Sequence, residues 1–359
     1  MLLRRLDVYG GDGADIIAWP ETQGIKEYFQ LMSDLHEFTG KISEIANAFK
    51  QSQILFWAVE SDVFSLLEKP QEADNVAHIQ HWDPHGARLF LDGLVGIGLV
   101  EKQNNRYVNT PAASACLVPG KAAYQGAIIR HTENSWEPWA RIGEAVRTGE
   151  GVVQGRQRAP RELRDFILGM GNIAMLSAPD LLEHIDISPY RHMLDIGGGP
   201  STYTITFLRA NPNLRTTLMD FPDVVDIARE QVDEAGLAAR VDFLTGDCTK
   251  DPLGAGYDLI LASNVVHILG PEQNAELVKK CFDALEPTGT LVIKDFITDP
   301  GHTGPPFSLI FALHMLLHTE QGRTYSQDEV QAWTDAAGFA PGELRTITPK
   351  TRLWIARKP

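Results

Sequence analysis

The stretch "LDIGGGPS", Leu194 to Ser201, follows an apolar run and precedes a helix-like pattern. Glycines at 197, 198 and 199 let a backbone approach a ligand closely, and a helix starting near Ser201 offers unpaired N–H groups. A nicotinamide enzyme requires G-x-G-x-x-G, and the third glycine position here is Thr202. Pro200 removes another donor, which suits a pyrophosphate poorly. Asp195 adds a carboxylate beside Gly197 and Gly199; it would repel phosphate and fits a ligand with a cationic amino-acid end. Asp220 closes the next strand-like run, 25 residues after Asp195, where a carboxylate can accept ribose hydroxyls. Asp247, in "LTGDC", closes the third run, where an adenine would lie. Taken singly, each aspartate reads more readily as an ordinary helix cap. Three in order around a glycine loop describe a nucleoside without phosphates: S-adenosylmethionine, with S-adenosylhomocysteine as its product.

These residues need strands to carry them. From residue 191 the runs "RHMLDI", "RTTLMD", "VDFLTGD", "YDLILAS" and "GTLVIKDFI" alternate with amphipathic helical stretches. That pattern predicts an α/β domain over 181–359, a Rossmann-like parallel sheet covered on both faces. The runs in "GELRTITPKTRLWIARK" add an antiparallel hairpin. Residues 111–180 read as a helical bridge rich in aromatics, including Trp136 and Trp139. Residues 1–110 read as a winged-helix-like domain. Its first 40 residues are mixed, with a Gly-Gly-Asp-Gly cluster; a helix follows from about 41. Then come a helix capped by Asp83 with Pro84 in its first turn, and a hairpin turning at Gln103-Asn104-Asn105.

That outline is shared with repressors, so a nucleoside-sensing DNA-binding regulator is a competing reading. Residues 1–110 contain nine Lys+Arg against sixteen Asp+Glu, and residues 83–92 hold one arginine, two aspartates and a histidine. Phosphate neutralisation needs clustered cations. The charge therefore favours a dimerisation or substrate-covering role, with no nucleic-acid partner and a homodimer expected. The whole chain, 359 residues with formal charge −15, repels polyanions and points to a small-molecule partner. No apolar run reaches the roughly 20 residues that span a bilayer, and no signal-peptide pattern opens the chain. Three scattered cysteines match no metal spacing and suit a reducing cytoplasm.

The segments "MLDIGGGPS", "LMDFPDVV", "FLTGDCTKDPL", "YDLILASNVVHILGPEQNAELVKKCFDALEPTGTLVIKDF" and "AAGF" resemble, in order and spacing, small-molecule O-methyltransferases of the plant caffeate and hydroxyindole type. The resemblance is strong over about 160–359 and weaker over 40–110, where that family has a dimerisation domain. It implies that His267 takes the proton from an acceptor hydroxyl, a role that suits an imidazole at neutral pH. It also implies that Asp295 orients the histidine. Phe221, Cys248 and Ser263 join Asp195, Gly197, Gly199, Asp220 and Asp247 in the expected cofactor set. Three positions depart from the family pattern: Pro200 in the loop, Ile268 after the histidine, and Gly322 where a second acidic residue is usual, with Glu320 as a possible substitute. These departures keep C- or N-methylation, or cofactor binding without transfer, as alternatives.

Phe307, Phe311, His314 and His318 fall on one face of a helix in "PPFSLIFALHMLLHTEQG". The two histidines have metal-ligand spacing, but no H-E-x-x-H pattern accompanies them and methyl transfer needs no metal. An acceptor-lining face and plain core packing remain. With Phe166 and Met170 of the bridge, and Met315, the resemblance assigns Phe311, His314 and His318 to a pocket for a flat aromatic acceptor.

Overall fold

The computed structural model describes residues 22–153 and 159–359, so the glycine cluster near the start lies outside the described residues. The chain divides into two compact units, residues 1–57 and 58–359.

The described part of the first unit is one helix, α1 (Thr22–Glu60), whose last turn enters the second unit. Helix thus begins well before residue 41. Leu31, Leu35, Phe38, Ile42, Ile45 and Phe49 recur at alternating steps of four and three, the heptad spacing of a helix that packs on another helix. Five of them, from Leu35 onward, are 36–69% exposed.

The second unit opens with α2 (Val63–Leu66), β1 (Gln71–Glu72), α3 (Ala73–Gln80), α4 (Pro84–Gly96), β2 (Val100–Gln103) and β3 (Arg106–Asn109). The Asp83 carboxylate accepts the Gly86 N–H at 2.9 Å, capping α4. Asn104 and Asn105 both take positive φ, the backbone a two-residue hairpin turn requires. The three strands form an antiparallel wing ordered β1-β3-β2. Helices α5 (Pro111–Leu117), α6 (Gly126–Glu133), α7 (Trp136–Ala140), α8 (Ile142–Thr148) and α9 (Pro160–His184) follow.

The remaining chain alternates strand and helix as its apolar pattern predicts: β4 (His192–Ile196), α10 (Thr202–Ala210), β5 (Arg215–Asp220), α11 (Pro222–Glu234), β6 (Val241–Thr245), β7 (Tyr257–Ser263), α12 (Pro271–Ala284) and β8 (Leu285–Asp295). Helices α13 (Pro306–His318) and α14 (Gln327–Ala337) precede the hairpin β9 (Glu343–Thr346) and β10 (Arg352–Arg357). The sheet order is β6-β5-β4-β7-β8-β10-β9, parallel from β6 to β8, with β10 antiparallel to both neighbours. Strand alternation splits the core. Leu194, Ile196, Ile260, Leu291 and Ile293 pack under α12 and α14, while Met193, Leu259, Leu261 and Val292 pack under α9, α10 and α11. The order reverses between β4 and β7, where parallel sheets of this kind open a crevice for ligands. Among the described residues no helix is long and apolar enough to cross a membrane.

Candidate active site

The glycine loop sits at that crevice. Gly197 and Gly199 have φ of 65° and 51°, and a Cβ on Gly197 would meet Val265 Cγ2 at 2.8 Å. Gly198 is equally confined, by Leu218 at 2.6 Å. Pro200 lies against α9, where a Cβ on Gly171 would be 3.2 Å from its Cγ. The loop's departure from the family pattern is therefore received by a glycine notch in the bridge helix.

The three aspartates differ in what they hold. Asp195 belongs to the face that carries Met193, so its side chain turns under α10. It is 1% exposed and accepts the Thr204 hydroxyl at 2.6 Å. Burial pushes its carboxyl up to about 7, the Thr204 hydroxyl opposing and Asp220 assisting. Asp195, expected beside a cationic ligand end, braces the loop from beneath in this structure. Asp220 ends β5 and accepts the N–H of Gly199 at 2.9 Å and of Phe221 at 2.8 Å. Burial raises its carboxyl, against those two hydrogen bonds. Phe221 is 56% exposed beside it. Asp247 accepts the Thr249 N–H and hydroxyl and pairs with Lys250 at 3.0 Å. Desolvation opposes them, yet these bonds carry its carboxyl below the usual range. Burial, then Asp247, pushes the Cys248 thiol up to about 11, so it stays protonated. Ser263 Oγ and Asn264 Oδ1, at the end of β7, are buried without a hydrogen-bond partner among the described residues.

On the other face of β8, Asp295 reaches His267, which lies in a short turn, Val266–Ile268, just after β7. The Asp295 Oδ1 to His267 Nδ1 distance is 2.8 Å, and both residues are buried. The Phe296 N–H also donates to Oδ1, at 2.7 Å. An ionised carboxylate can only accept, so Nδ1 carries the hydrogen and Nε2 carries the lone pair. That is the tautomer able to take a proton. Gly322 is buried against the carbonyls of His267 and Ile268, which a Cβ would meet at 2.5 and 2.9 Å. No acidic side chain fits there, and Glu320 is exposed.

An aromatic wall rises from α13 beside this pair. Phe311 stands edge-on to His267, with ring centroids 5.0 Å apart, and meets Phe296 at 4.5 Å and His314 at 5.5 Å. Phe307 stacks on Phe311, and His314 lies 4.1 Å from His318. Trp139 donates from Nε1 to His314 Nδ1 at 3.3 Å. Burial, then the neighbouring histidines, holds the His314 imidazole down to about 3, so it is neutral with its hydrogen on Nε2. Among the described residues no group of three His, Cys, Asp or Glu could hold a metal ion. Met315, expected in the acceptor pocket, is 6% exposed and underlies the wall. Phe166 is half-buried against His131 and beside Val224 and Ile227, and Met170 is half-buried one turn further along α9.

The O-methyltransferase domain profile matches residues 127–340, and the profile of the associated dimerisation domain matches 43–119. The chain belongs to the O-methyltransferase family. It is 32% identical to the 8-O-methyltransferase of tetracenomycin polyketide synthesis from Streptomyces glaucescens, covering 89% of this chain and 97% of that one. A 3-hydroxy-5-methyl-1-naphthoate 3-O-methyltransferase from Streptomyces sahachiroi is 31% identical, covering 85% and 90% of the two chains. The structure of human N-acetylserotonin methyltransferase in complex with S-adenosylmethionine superposes with a TM-score of 0.82 at 25% identity, covering 89% and 98%.

This O-methyltransferase uses S-adenosylmethionine, and its residues fit that group. The glycine cradle leaves no room for side chains, while Ser263 and Asn264 hold unsatisfied polar atoms at the adjoining strand end. Sequence reasoning missed Thr204, Gly171, Phe296 and the donor role of Trp139. Each acts through a tertiary contact with no local spacing to reveal it; only Trp139 left a signal, in the aromatic content of the bridge.

Proposed function

We propose that this enzyme methylates a phenolic hydroxyl on a small, flat aromatic molecule, with His267 as general base and Asp295 as its positioning residue. The observation that carries the reading is the 2.8 Å contact between His267 Nδ1 and Asp295 Oδ1, both buried. It leaves the Nε2 lone pair free for the acceptor proton and gives the resulting imidazolium a counter-charge. Bound S-adenosylmethionine supplies an electrophilic methyl group. Asp220 and Phe221 would hold its ribose and adenine, with Asp247 and Cys248 at the far end, and Gly197, Gly199 and Ser263 beside its amino-acid portion. Phe311 and His314 would pack against the acceptor ring, with His318 beside them and Phe166 and Met170 approaching from the bridge helix. Relatives that act on a polyketide and a hydroxynaphthoate support an aromatic acceptor.

The test is a methyl-transfer screen over phenols, catechols and indoles, with the product's methyl position assigned by NMR. O-methylation is expected; methyl found on carbon or nitrogen alone would move the C- or N-transfer readings to first place. The same reading includes a homodimer. The dimerisation profile begins at residue 43 on α1, and the exposed heptad stripe runs along the same helix. Burying each of its large apolar side chains is worth about 1.5–3 kcal/mol. Light scattering should give twice the chain mass, and Ile42→Asp with Ile45→Asp should lower it; a monomeric wild type removes this part.

A further inference from the structure

Two charged residues adjoin on β8, and strand alternation sends them to opposite faces. Asp295 follows Leu291 and Ile293 to the face where it meets His267. Lys294 follows Val292 to the face covered by α9 and α10. Lys294 is only 2% exposed. Among the described residues no carboxylate pairs with it and no group accepts a hydrogen bond from it. Its charge has one contact, the Tyr203 ring, 5.2 Å from Nζ. A cation–π contact returns only part of what desolvating an ammonium costs. The corner is short of a negative charge.

It is also short of hydrogen-bond partners. Ser263 is the register partner of Lys294 between parallel strands, so the two side chains stand next to each other on one face. Ser263 Oγ is buried and unsatisfied, and so is Oδ1 of the next residue, Asn264. The sheet order indicates what belongs there. Asp247, Asp220 and the glycine loop follow the ends of β6, β5 and β4, and the next strands in that direction are β7 and β8. With strands ~4.8 Å apart, the Ser263–Lys294 pair lies ~5–10 Å beyond the loop, within reach of an amino-acid chain. Tyr203, in the first turn of α10, is itself fixed by the Ser177 hydroxyl at 2.8 Å.

We propose that the Lys294 ammonium and the Ser263 hydroxyl bind the α-carboxylate of S-adenosylmethionine, an assignment that rests on the cofactor reading above. Both groups donate and the carboxylate accepts, which supplies the counter-charge and the partner that the corner lacks. Tyr203 holds the ammonium in place for the ligand.

The experiment is calorimetric titration of wild type and Lys294→Met with two probes, S-adenosylhomocysteine and 5′-methylthioadenosine, which has no amino-acid portion. Methionine conserves the volume and removes the charge. S-adenosylhomocysteine should bind the variant ~10- to 100-fold more weakly, while 5′-methylthioadenosine binds both proteins equally. The melting temperature of the ligand-free variant should hold or rise, because an unpaired buried charge has gone. Ser263→Ala provides a second, milder variant, with a loss of ~3- to 10-fold confined to the same probe. Unchanged S-adenosylhomocysteine affinity in both variants overturns the proposal, and so does an equal loss for both probes. A wild type that binds neither probe sinks the cofactor reading and this assignment with it.

Discussion

The dyad makes a quantitative prediction, because Asp295 is proposed to act only through His267. A phenol with pKa near 10 is about one part in a thousand ionised at pH 7, so a base at its oxygen is worth ~10²–10⁴-fold in turnover. His267→Ala should lose that factor with a phenolic acceptor and leave S-adenosylhomocysteine affinity unchanged. Asp295→Asn keeps an oxygen able to accept from His267 Nδ1 and from the Phe296 N–H, at the present 2.8 and 2.7 Å. What it loses is the charge, together with the weak bond that Oδ2 accepts from the His267 N–H at 3.4 Å. Exchanging a charge-assisted bond for a neutral one costs about 1–2 kcal/mol, or ~5- to 30-fold in kcat. With His267 gone, the imidazolium that Asp295 stabilises no longer forms. The double variant should therefore be no slower than His267→Ala alone. Single-turnover kinetics on the four proteins, at saturating cofactor and across pH, measures the coupling. The loss in His267→Ala should also shrink as pH rises towards the acceptor's own pKa. Multiplicative losses in the double variant would refute the mechanism, since Asp295 would then act on something other than the histidine.

Three further perturbations probe the cofactor corner. Asp220→Ala should weaken S-adenosylhomocysteine at least ~10-fold, through the loss of one charge-assisted bond of about 1.5–3 kcal/mol; unchanged calorimetric affinity would show that the ribose is held elsewhere. Asp195 has a folded-state carboxyl at about 7 against its usual 3.8, so its contribution to stability is full below about pH 4 and is lost as pH rises through about 7. Asp195→Asn should flatten that decline in denaturation curves taken between about pH 4 and 8, and parallel curves would exclude a buried, protonated Asp195. Gly171→Ala sets a methyl 3.2 Å from the Pro200 ring and should weaken S-adenosylhomocysteine several-fold by displacing the loop. Adding Pro200→Ala should restore it, and a strictly additive double variant would deny the contact.

Much of this arrangement was legible because it is written in periodicities. The seven strands follow period-two or continuous apolar runs, and Asp220 and Asp247 stand at strand ends in chain order. The hairpin turn at Asn104 and Asn105 has the residue types its backbone demands. The shared aromatic face of α13 was visible in the spacing of Phe307, Phe311, His314 and His318. What stayed hidden depends on which way a strand-end residue faces. Asp195 sits on the loop's own strand, yet alternation with Met193 turns it under Thr204. Met315 shares its helix with the wall but points into the core, one position around from His314. Gly171 reads as a weak point in a helix until Pro200 is placed against it. The early start of α1 was missed because the polar and charged residues between its heptad positions make the first 40 residues read as mixed.

Strand β8 sets Asp295 towards His267 and Lys294 towards the opposite face, so a register slip of one residue would exchange the two charges. β7 holds one edge of β8, and β10 holds the other through the pairs Arg352 with Asp295 and Leu353 with Lys294. Yet β10 is translated after α13, α14 and β9, and it must insert between β8 and β9. A nascent chain that already contains the glycine loop, the histidine and its aspartate still has an unclosed strand edge running past the His267–Asp295 pair. Such an edge is a template for pairing with another chain. Products that stop short of Arg352–Arg357 are therefore expected to appear as aggregates and not as feeble enzymes, because the edge of β8 is covered only when β10 inserts.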